Sequence, residues 1–142
     1  MASQADVRRI ALSLPETEEA PDRFAFSVRH KGKRKGFVWV WMERVTPKKP
    51  RVSQPAVIAV RVASLVDKDL LLTHNPAKFF TEPHYDGFPA ILVRLAAVTA
   101  RELRPLLTEA WRSQAPKGLD PRTRTGRRSG AAPRRPRQER RP

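Results

Sequence analysis

The apolar residues that can build a core stop at Ala115, and this limit constrains the fold more than any other feature. Within residues 116–142 Leu119 is the one large aliphatic residue, and Pro, Arg, Gly, Ser and Thr make up most of the rest. A segment of this composition cannot bury enough apolar surface to offset the entropy it loses on ordering. We therefore predict one folded domain over residues 1–115, followed by a disordered Arg/Pro-rich tail over residues 116–142.

Helical and strand patterns alternate within residues 1–115. Apolar residues at helical spacing over 7–14 and over 103–111 predict a first and a last helix, and each follows a capping-box pattern. Alternating apolar positions predict four strands, and a short helix is expected between the third and the fourth; the strands are 24–28, 37–42, 57–62 and 90–95, and the short helix is 67–72. This order predicts an α+β fold, in which a mostly antiparallel sheet carries the N- and C-terminal helices on one face.

Proline and glycine mark the expected connections. Residues 16–22, 30–36 and 46–55 are predicted to be loops, and residues 83–87 a turn. Residues 77–80 are predicted to form one further turn of helix. Pro105 lies inside the last predicted helix, so we expect a kink or a delayed helix start there.

Two basic segments account for the formal net charge of +15. Residues 29–51 include nine basic residues and one acid, residues 117–142 include ten basic residues and two acids, and each segment therefore carries +8. Such concentrated positive charge is typical of a protein that binds a polyanion. A compositional bias is the alternative, because Arg outnumbers Lys 21 to 8 and the chain has 14 prolines.

The candidate phosphate-binding residues come from the two basic segments and from the predicted sheet. They are Arg29, Lys31, Lys33, Arg34, Lys35, Lys48, Lys49, Arg51, Arg61, Arg94, Arg127, Arg128, Arg134 and Arg135. Strand alternation places Arg29, Arg61 and Arg94 on the uncovered face of the sheet. Their neighbours on that face would be either Trp39 and Trp41 or Val38 and Val40. The two tryptophans could stack on bases. The alternative is that a half-exposed sheet needs polar outer residues and Arg is the commonest one in this chain.

Several classes of function find no support in the sequence. The absence of cysteine excludes disulfides, thiolate zinc sites, iron–sulfur clusters and cysteine nucleophiles. The first residues are charged and not apolar, and the longest fully apolar run, 37–42, is too short to span a bilayer. We therefore expect a cytoplasmic protein that has no membrane partner, no metal site and no cofactor.

One cluster could carry chemistry or hold a small ligand. His84, Tyr85 and Asp86 follow Glu82, and a histidine beside carboxylates can act as a general base. We expect Trp111 to pack close to them, which would make a pocket for a ligand or an enzymatic reaction. The alternative is that this stretch is a structural turn, and we assign no catalytic residue.

The sequence resembles the MmcQ/YjbR family over roughly residues 5–119. The most discriminating stretch of the resemblance runs from Pro83 to Gly87. Further matching residues are Leu14, Pro15 and Glu16; Phe26, Val28, Gly32 and Lys33; Phe37 and Trp39; Pro76, Lys78, Phe79, Phe80, Thr81 and Pro89; Leu92, Val93, Arg94 and Leu95; and Ala110, Trp111, Arg112, Gln114, Ala115 and Pro116. The resemblance implies a CyaY-like sandwich and a DNA-binding role through a double wing of hairpins. It brings no catalytic residues.

These observations together predict a DNA-binding protein. It would make mainly non-specific contacts with the phosphate backbone through its basic hairpin loops and its basic tail. The first alternative is the ligand or enzyme pocket at His84, Tyr85 and Asp86. The second is an interaction module that binds RNA or acidic proteins.

Overall fold

The computed structural model describes residues 1–122, which form three α-helices and six strands. The elements are α1 (Gln4–Leu12), β1 (Thr17–Glu19), β2 (Ala25–His30), β3 (Lys33–Glu43), β4 (Val52–Arg61), α2 (Leu65–His74), β5 (Phe79–Phe80), β6 (Ala90–Arg94) and α3 (Ala100–Gln114). Short 3-10 helices span Pro83–Tyr85 and Leu95–Ala97. The predicted disorder of the tail from residue 123 onward, which includes Arg127, Arg128, Arg134 and Arg135, lies outside the described residues.

The six strands form one sheet in which every neighbouring pair is antiparallel. The strand order is β1-β2-β3-β4-β6-β5. Both α1 and α3 pack on one face of this sheet, which we call the helix-covered face. The predicted α+β class and the position of the terminal helices are therefore confirmed. The core on this face includes the fully buried Phe26, Ile58 and Ile91 of the sheet and Leu107 and Trp111 of α3.

The ends of the two terminal helices follow from local sequence. Ser3 and Asp6 cap α1 reciprocally, and Thr99 and Glu102 do the same for α3. Both predicted capping boxes are thus present, and they satisfy backbone N–H groups that a helix leaves without partners. The delayed start expected from Pro105 is wrong, because α3 begins at Ala100 and includes Pro105.

The opposite side of the sheet, which we call the second face, has a small core of its own. Trp41, Ala59, Tyr85 and Leu92 are buried there, and Trp39 and Phe80 pack against them. The prediction that this face is uncovered is therefore wrong in part. Segment 80–88 folds over it because Phe80 and Tyr85 provide large apolar surfaces directly beside a turn.

The sheet is longer and wider than the alternation of apolar residues indicates. Residues 17–19, which we expected in a loop, pair with β2, and residues 79–80, expected to be helical, pair with β6. Residues 33–35 and 52–55 were predicted in loops and belong to β3 and β4. These segments lie at strand ends or sheet edges, where backbone pairing alone suffices and no apolar alternation is needed.

Candidate nucleic-acid interface

The basic segment that begins at Arg29 forms a tight β-hairpin. Lys31 and Gly32 connect β2 to β3, and both have positive φ angles, 55° and 78°. Two such residues make the kind of two-residue turn that matches the twist of paired strands. The sharp turn replaces the predicted loop over 30–36, so Lys33, Arg34 and Lys35 project from a strand. We call Arg29, Lys31, Lys33, Arg34 and Lys35 the basic hairpin.

The pairing of β2 with β3 divides the basic hairpin between the two faces of the sheet. Lys33 pairs with His30 and Lys35 pairs with the buried Val28, whereas Arg34 pairs with Arg29. Because directly paired residues lie on the same side of a sheet, Lys33 and Lys35 lie on the helix-covered face. Arg29 and Arg34 lie on the second face.

The lysines of the hairpin differ from its arginines in their ion pairs. Arg29 Nε lies 2.7 Å from one carboxylate oxygen of Glu18, and Arg34 Nε lies 3.3 Å from the other. Lys31, Lys33 and Lys35 are exposed and form no ion pair with any described residue. Glu18 offsets one of the two arginine charges, so most of the positive charge of the hairpin that no described residue compensates is carried by its three lysines.

The C-terminal end of α3 lies beside the same hairpin. The backbone carbonyl of Gln114 is 3.1 Å from His30 Nδ1. The negative end of a helix dipole favours nearby cations, which here include Lys33 and Lys35. The chain continues from this helix end past Leu119, which packs against the core, to the last described residue, Arg122. Helix α3 therefore ends beside the basic hairpin, and the described chain continues for eight residues beyond Gln114.

The second basic loop, residues 44–51, lies at the other end of β3. Arg44 and Arg51 donate hydrogen bonds to the backbone carbonyls of Lys49 and Met42, at 2.7 Å and 3.0 Å, and so brace the loop. Lys48 and Lys49 are exposed and have no ion pair among the described residues. Residues 36–43 of β3 lie between Lys35 of the hairpin and Arg44 of the loop, so about 30 Å of strand separates the two basic elements.

Arg61 and Arg94 lie on the second face, as alternation predicts, but each is held by segment 76–89. Arg61 stacks 4.9 Å from the ring centroid of Phe88, and its Nε donates to the carbonyl of Pro89. Arg94 stacks 4.2 Å from the centroid of Phe80, and its Nη1 donates to the carbonyl of Pro76. Both arginines therefore anchor this segment, and phosphate binding by them stays a prediction.

The expected pocket around His84, Tyr85 and Asp86 does not include Trp111. Tyr85 is buried in the core of the second face, and Trp111 is fully buried on the helix-covered face, where its Nε1 donates to the carbonyl of Pro15. The sheet thus separates the two aromatic rings. His84 and Asp86 are exposed beside Tyr85 on the 3-10 turn.

A buried lysine that the sequence analysis did not single out holds this turn in place. Lys68 of α2 is 4% exposed, and its Nζ donates to the carbonyls of Tyr85 and Phe88, at 2.6 Å and 2.9 Å. Burial lowers the pKa of Lys68, while the charges of Asp86 and Asp69 oppose that shift. Lys68 lies three residues before Leu71, which packs against the core, and residues at this spacing share one face of a helix. This spacing is the sequence signal that indicates burial of Lys68.

Two features do not occur within residues 1–122. No helix in this part of the chain is long and apolar enough to cross a bilayer. These residues also contain no group of three or more His, Asp or Glu side chains arranged to hold a metal ion.

Comparisons with known proteins place the chain in a family. The model of the YjbR family matches residues 12–113. Uncharacterized proteins of Mycobacterium tuberculosis and Mycobacterium bovis are 40% identical over 129 residues, which cover 84% of this chain and 93% of each relative.

A crystal structure has a similar fold. It is that of Deinococcus radiodurans protein DR2400, which carries a DUF419 domain, and it aligns with a TM-score of 0.54 at 18% identity. The alignment covers 84% of this chain and 96% of that protein. On the evidence of the family match and the mycobacterial relatives, this chain belongs to the MmcQ/YjbR family.

Proposed function

We propose that the protein binds DNA through its phosphate backbone, with contacts from the basic hairpin and from the basic tail. The observation that carries this proposal is the group of exposed lysines without ion pairs, Lys31, Lys33 and Lys35, beside the C-terminal end of α3. Lysines free of carboxylates can neutralise phosphates and release counterions without first breaking an ion pair. Contacts of this kind give affinity with little dependence on base sequence.

The second basic loop supports the same proposal. The loop that carries Lys48 and Lys49 begins about 30 Å along β3 from the hairpin, by the rise per residue of a strand. One helical turn of B-DNA is about 34 Å long. A duplex that contacts both basic elements would therefore meet them about one turn apart.

The test compares two matched double variants of the full chain. Lys33→Gln with Lys35→Gln removes two charges from the hairpin, and Arg101→Gln with Arg104→Gln removes two from exposed positions nearer the N-terminal end of α3. Binding of a labelled 20-base-pair duplex is measured by fluorescence anisotropy over a salt series. If each lysine contacts one phosphate, the hairpin variant lowers the salt slope by about two, and the control leaves it unchanged.

Two results would count against the proposal. Equal slopes for both variants would mean that duplex binding reflects net charge and not the hairpin surface. Tighter binding to an RNA duplex of the same length would make RNA the partner, as in the alternative of an RNA-binding module.

A further inference from the structure

A cleft of about 740 Å³ opens on the second face between β1, β2 and β3. The residues that matter for its chemistry are Glu18, Arg23, Ser27, Arg34, Gly36 and Trp39, and we call it the Trp39 cleft. Ser27 pairs with Gly36 across the two strands, so this part of the wall has little side-chain bulk. The cleft lies next to the basic hairpin because Arg34 belongs to both.

The indole of Trp39 is held in a fixed position in the wall of this cleft. Its Nε1 donates a hydrogen bond to the hydroxyl of Tyr85, at 3.0 Å. On the opposite edge of the ring, Cε3 and Cζ3 would each lie 3.9 Å from the Cβ atom of any larger residue at position 36. Because residue 36 is glycine, that part of the ring stays uncovered.

The polar groups around the ring match a nucleotide. Arg34 contacts Glu18 through Nε, at 3.3 Å, and shares this carboxylate with Arg29, so the two guanidinium groups keep one positive charge that no described residue compensates. The Ser27 hydroxyl has no hydrogen-bond partner in this part of the chain, and Arg23 is exposed without an ion pair. A fixed aromatic ring beside an arginine and a free hydroxyl can stack a base, bind its phosphate and contact a base edge.

The acids that line the cleft are mostly neutralised. Glu18 is shared by Arg29 and Arg34, and Glu19 accepts two hydrogen bonds from Arg8, at 3.0 Å and 2.9 Å. Asp22 is exposed near Arg23 in sequence and has no ion pair among the described residues. The positive charges of the neighbouring hairpin therefore dominate at the end of the cleft formed by Arg34.

We propose that the Trp39 cleft binds an unpaired nucleobase of single-stranded DNA, which stacks on Trp39 while its phosphate contacts Arg34. This inference rests on the proposed function and adds to it a preference for single strands, because bases within a duplex are already stacked on one another. The ring can report on its own occupancy. The other two tryptophans, Trp41 and Trp111, are 9% and 0% exposed, so Trp39 is the tryptophan that a base can reach.

The experiment uses the full chain and a labelled oligothymidine of 12 nucleotides, with a duplex of 12 base pairs as the comparison. Three variants that leave the net charge unchanged are measured, namely Trp39→Leu, Trp39→Phe and Gly36→Val. Trp39→Leu removes the stacking ring, and Trp39→Phe keeps an aromatic one. Gly36→Val covers the ring from a strand position where the first side-chain atom meets nothing closer than 3.9 Å.

We expect oligothymidine to quench the tryptophan fluorescence of the unmodified chain. Trp39→Leu and Gly36→Val should each weaken oligothymidine binding by about 5- to 100-fold, as expected for the loss of one stacked base. Trp39→Phe should weaken it less, and all three variants should bind the duplex within about twofold of the unmodified chain. Gly36→Val keeps the test valid if Trp39→Leu does not fold.

The outcomes separate this inference from the proposed function. Oligothymidine affinity that is unchanged in Gly36→Val and Trp39→Leu would overturn the base site, while duplex binding through the hairpin lysines would stand. Equal losses for single strand and duplex would also overturn it, because such losses would show that the cleft does not discriminate between them. If the unmodified chain binds neither the oligothymidine nor the duplex, both proposals are overturned.

Discussion

Lys68 shows how one buried charged residue can position a surface turn. Its ammonium group donates to two carbonyls of segment 85–88, and Phe88 and Ala90 N–H groups also donate to those same carbonyls. The carbonyls would thus keep one partner each if the lysine were removed. The role of Lys68 is therefore to join α2 to the turn that covers the second face.

Replacing Lys68 with Met should lower the free energy of unfolding by about 1–2 kcal/mol, because two charge-assisted hydrogen bonds are lost and the volume is kept. Urea unfolding followed by tryptophan fluorescence measures this change. Lys35→Met is the control, since the exposed Lys35 has no ion pair in the described chain and should change stability by less than about 0.5 kcal/mol. An equally stable Lys68→Met variant would contradict the structural role.

Glu102 should make stability depend on pH. The hydrogen bond from Lys78, with smaller contributions from Thr99, lowers the pKa of Glu102 below its ordinary value of 4.5. A carboxylate whose pKa is lowered in the folded state stabilises the fold above its unfolded pKa, and that contribution is lost as pH falls through the folded pKa. Glu102→Gln keeps an acceptor for the capping box but removes the charge.

We therefore expect Glu102→Gln to be less stable than the unmodified chain at pH 7, with a difference that shrinks as pH falls below about 4.5. Urea unfolding at a series of pH values from 7 to 3 measures this difference. Glu109→Gln on the same helix is the control, because the Glu109 carboxylate forms an exposed pair with Arg112 only. A difference that stays constant over the whole pH range would contradict the assignment.

At the scale of elements, α3 contains a proline where a helix normally has a backbone donor. Proline is tolerated in the first turn of a helix. Pro105 lies beyond that turn, because it is the sixth residue of α3. The helix forms nevertheless, since its buried face includes Leu103, Leu107 and Trp111 and its N-terminus is capped. Packing of this face therefore compensates for the missing hydrogen bond.

Pro105→Ala should raise the free energy of unfolding by about 1–2 kcal/mol. An interior proline costs a helix about 3 kcal/mol, and part of the gain is offset because alanine leaves the unfolded chain more flexible. Thermal and urea unfolding both measure the change. Pro116→Ala, which lies outside the helix, should give no such gain, and a less stable Pro105→Ala variant would show that the ring is needed for packing.

For the molecule as a whole, β3 separates two basic elements by about 30 Å. A duplex of 8 base pairs, about 27 Å long, cannot reach both elements at once, whereas one of 20 base pairs can. Lys48→Gln with Lys49→Gln should therefore lower the salt slope for the longer duplex and leave the hairpin-dependent binding of the shorter one unchanged. Anisotropy titrations with both duplexes measure this, and equal effects on both would contradict simultaneous contact of one duplex with both elements.

The parts of the fold that depend on local spacing can be predicted from the amino-acid sequence. Both capping boxes, the amphipathic helices and the apolar strand centres could be predicted because periodicities of 3.6 and 2 are visible within a single element. The family could be recognised for a similar reason, since its most discriminating stretch, Pro83 to Gly87, is continuous. The charge of the basic hairpin was equally visible, because composition does not depend on folding.

Contacts between residues far apart in the sequence follow from the folded chain and not from local spacing. The short strands β1 and β5 exist because their backbones pair with distant strands, and no side-chain pattern marks such pairing. The sheet places Tyr85 and Trp111 on opposite faces, although the sequence analysis put them in one pocket. Tyr85, which is 46 residues away in the sequence, orients Trp39 through a hydrogen bond. Gly36, three residues before Trp39, leaves the ring without a covering side chain. Contacts over such separations depend on strand order and register, which the sequence specifies only through the fold as a whole.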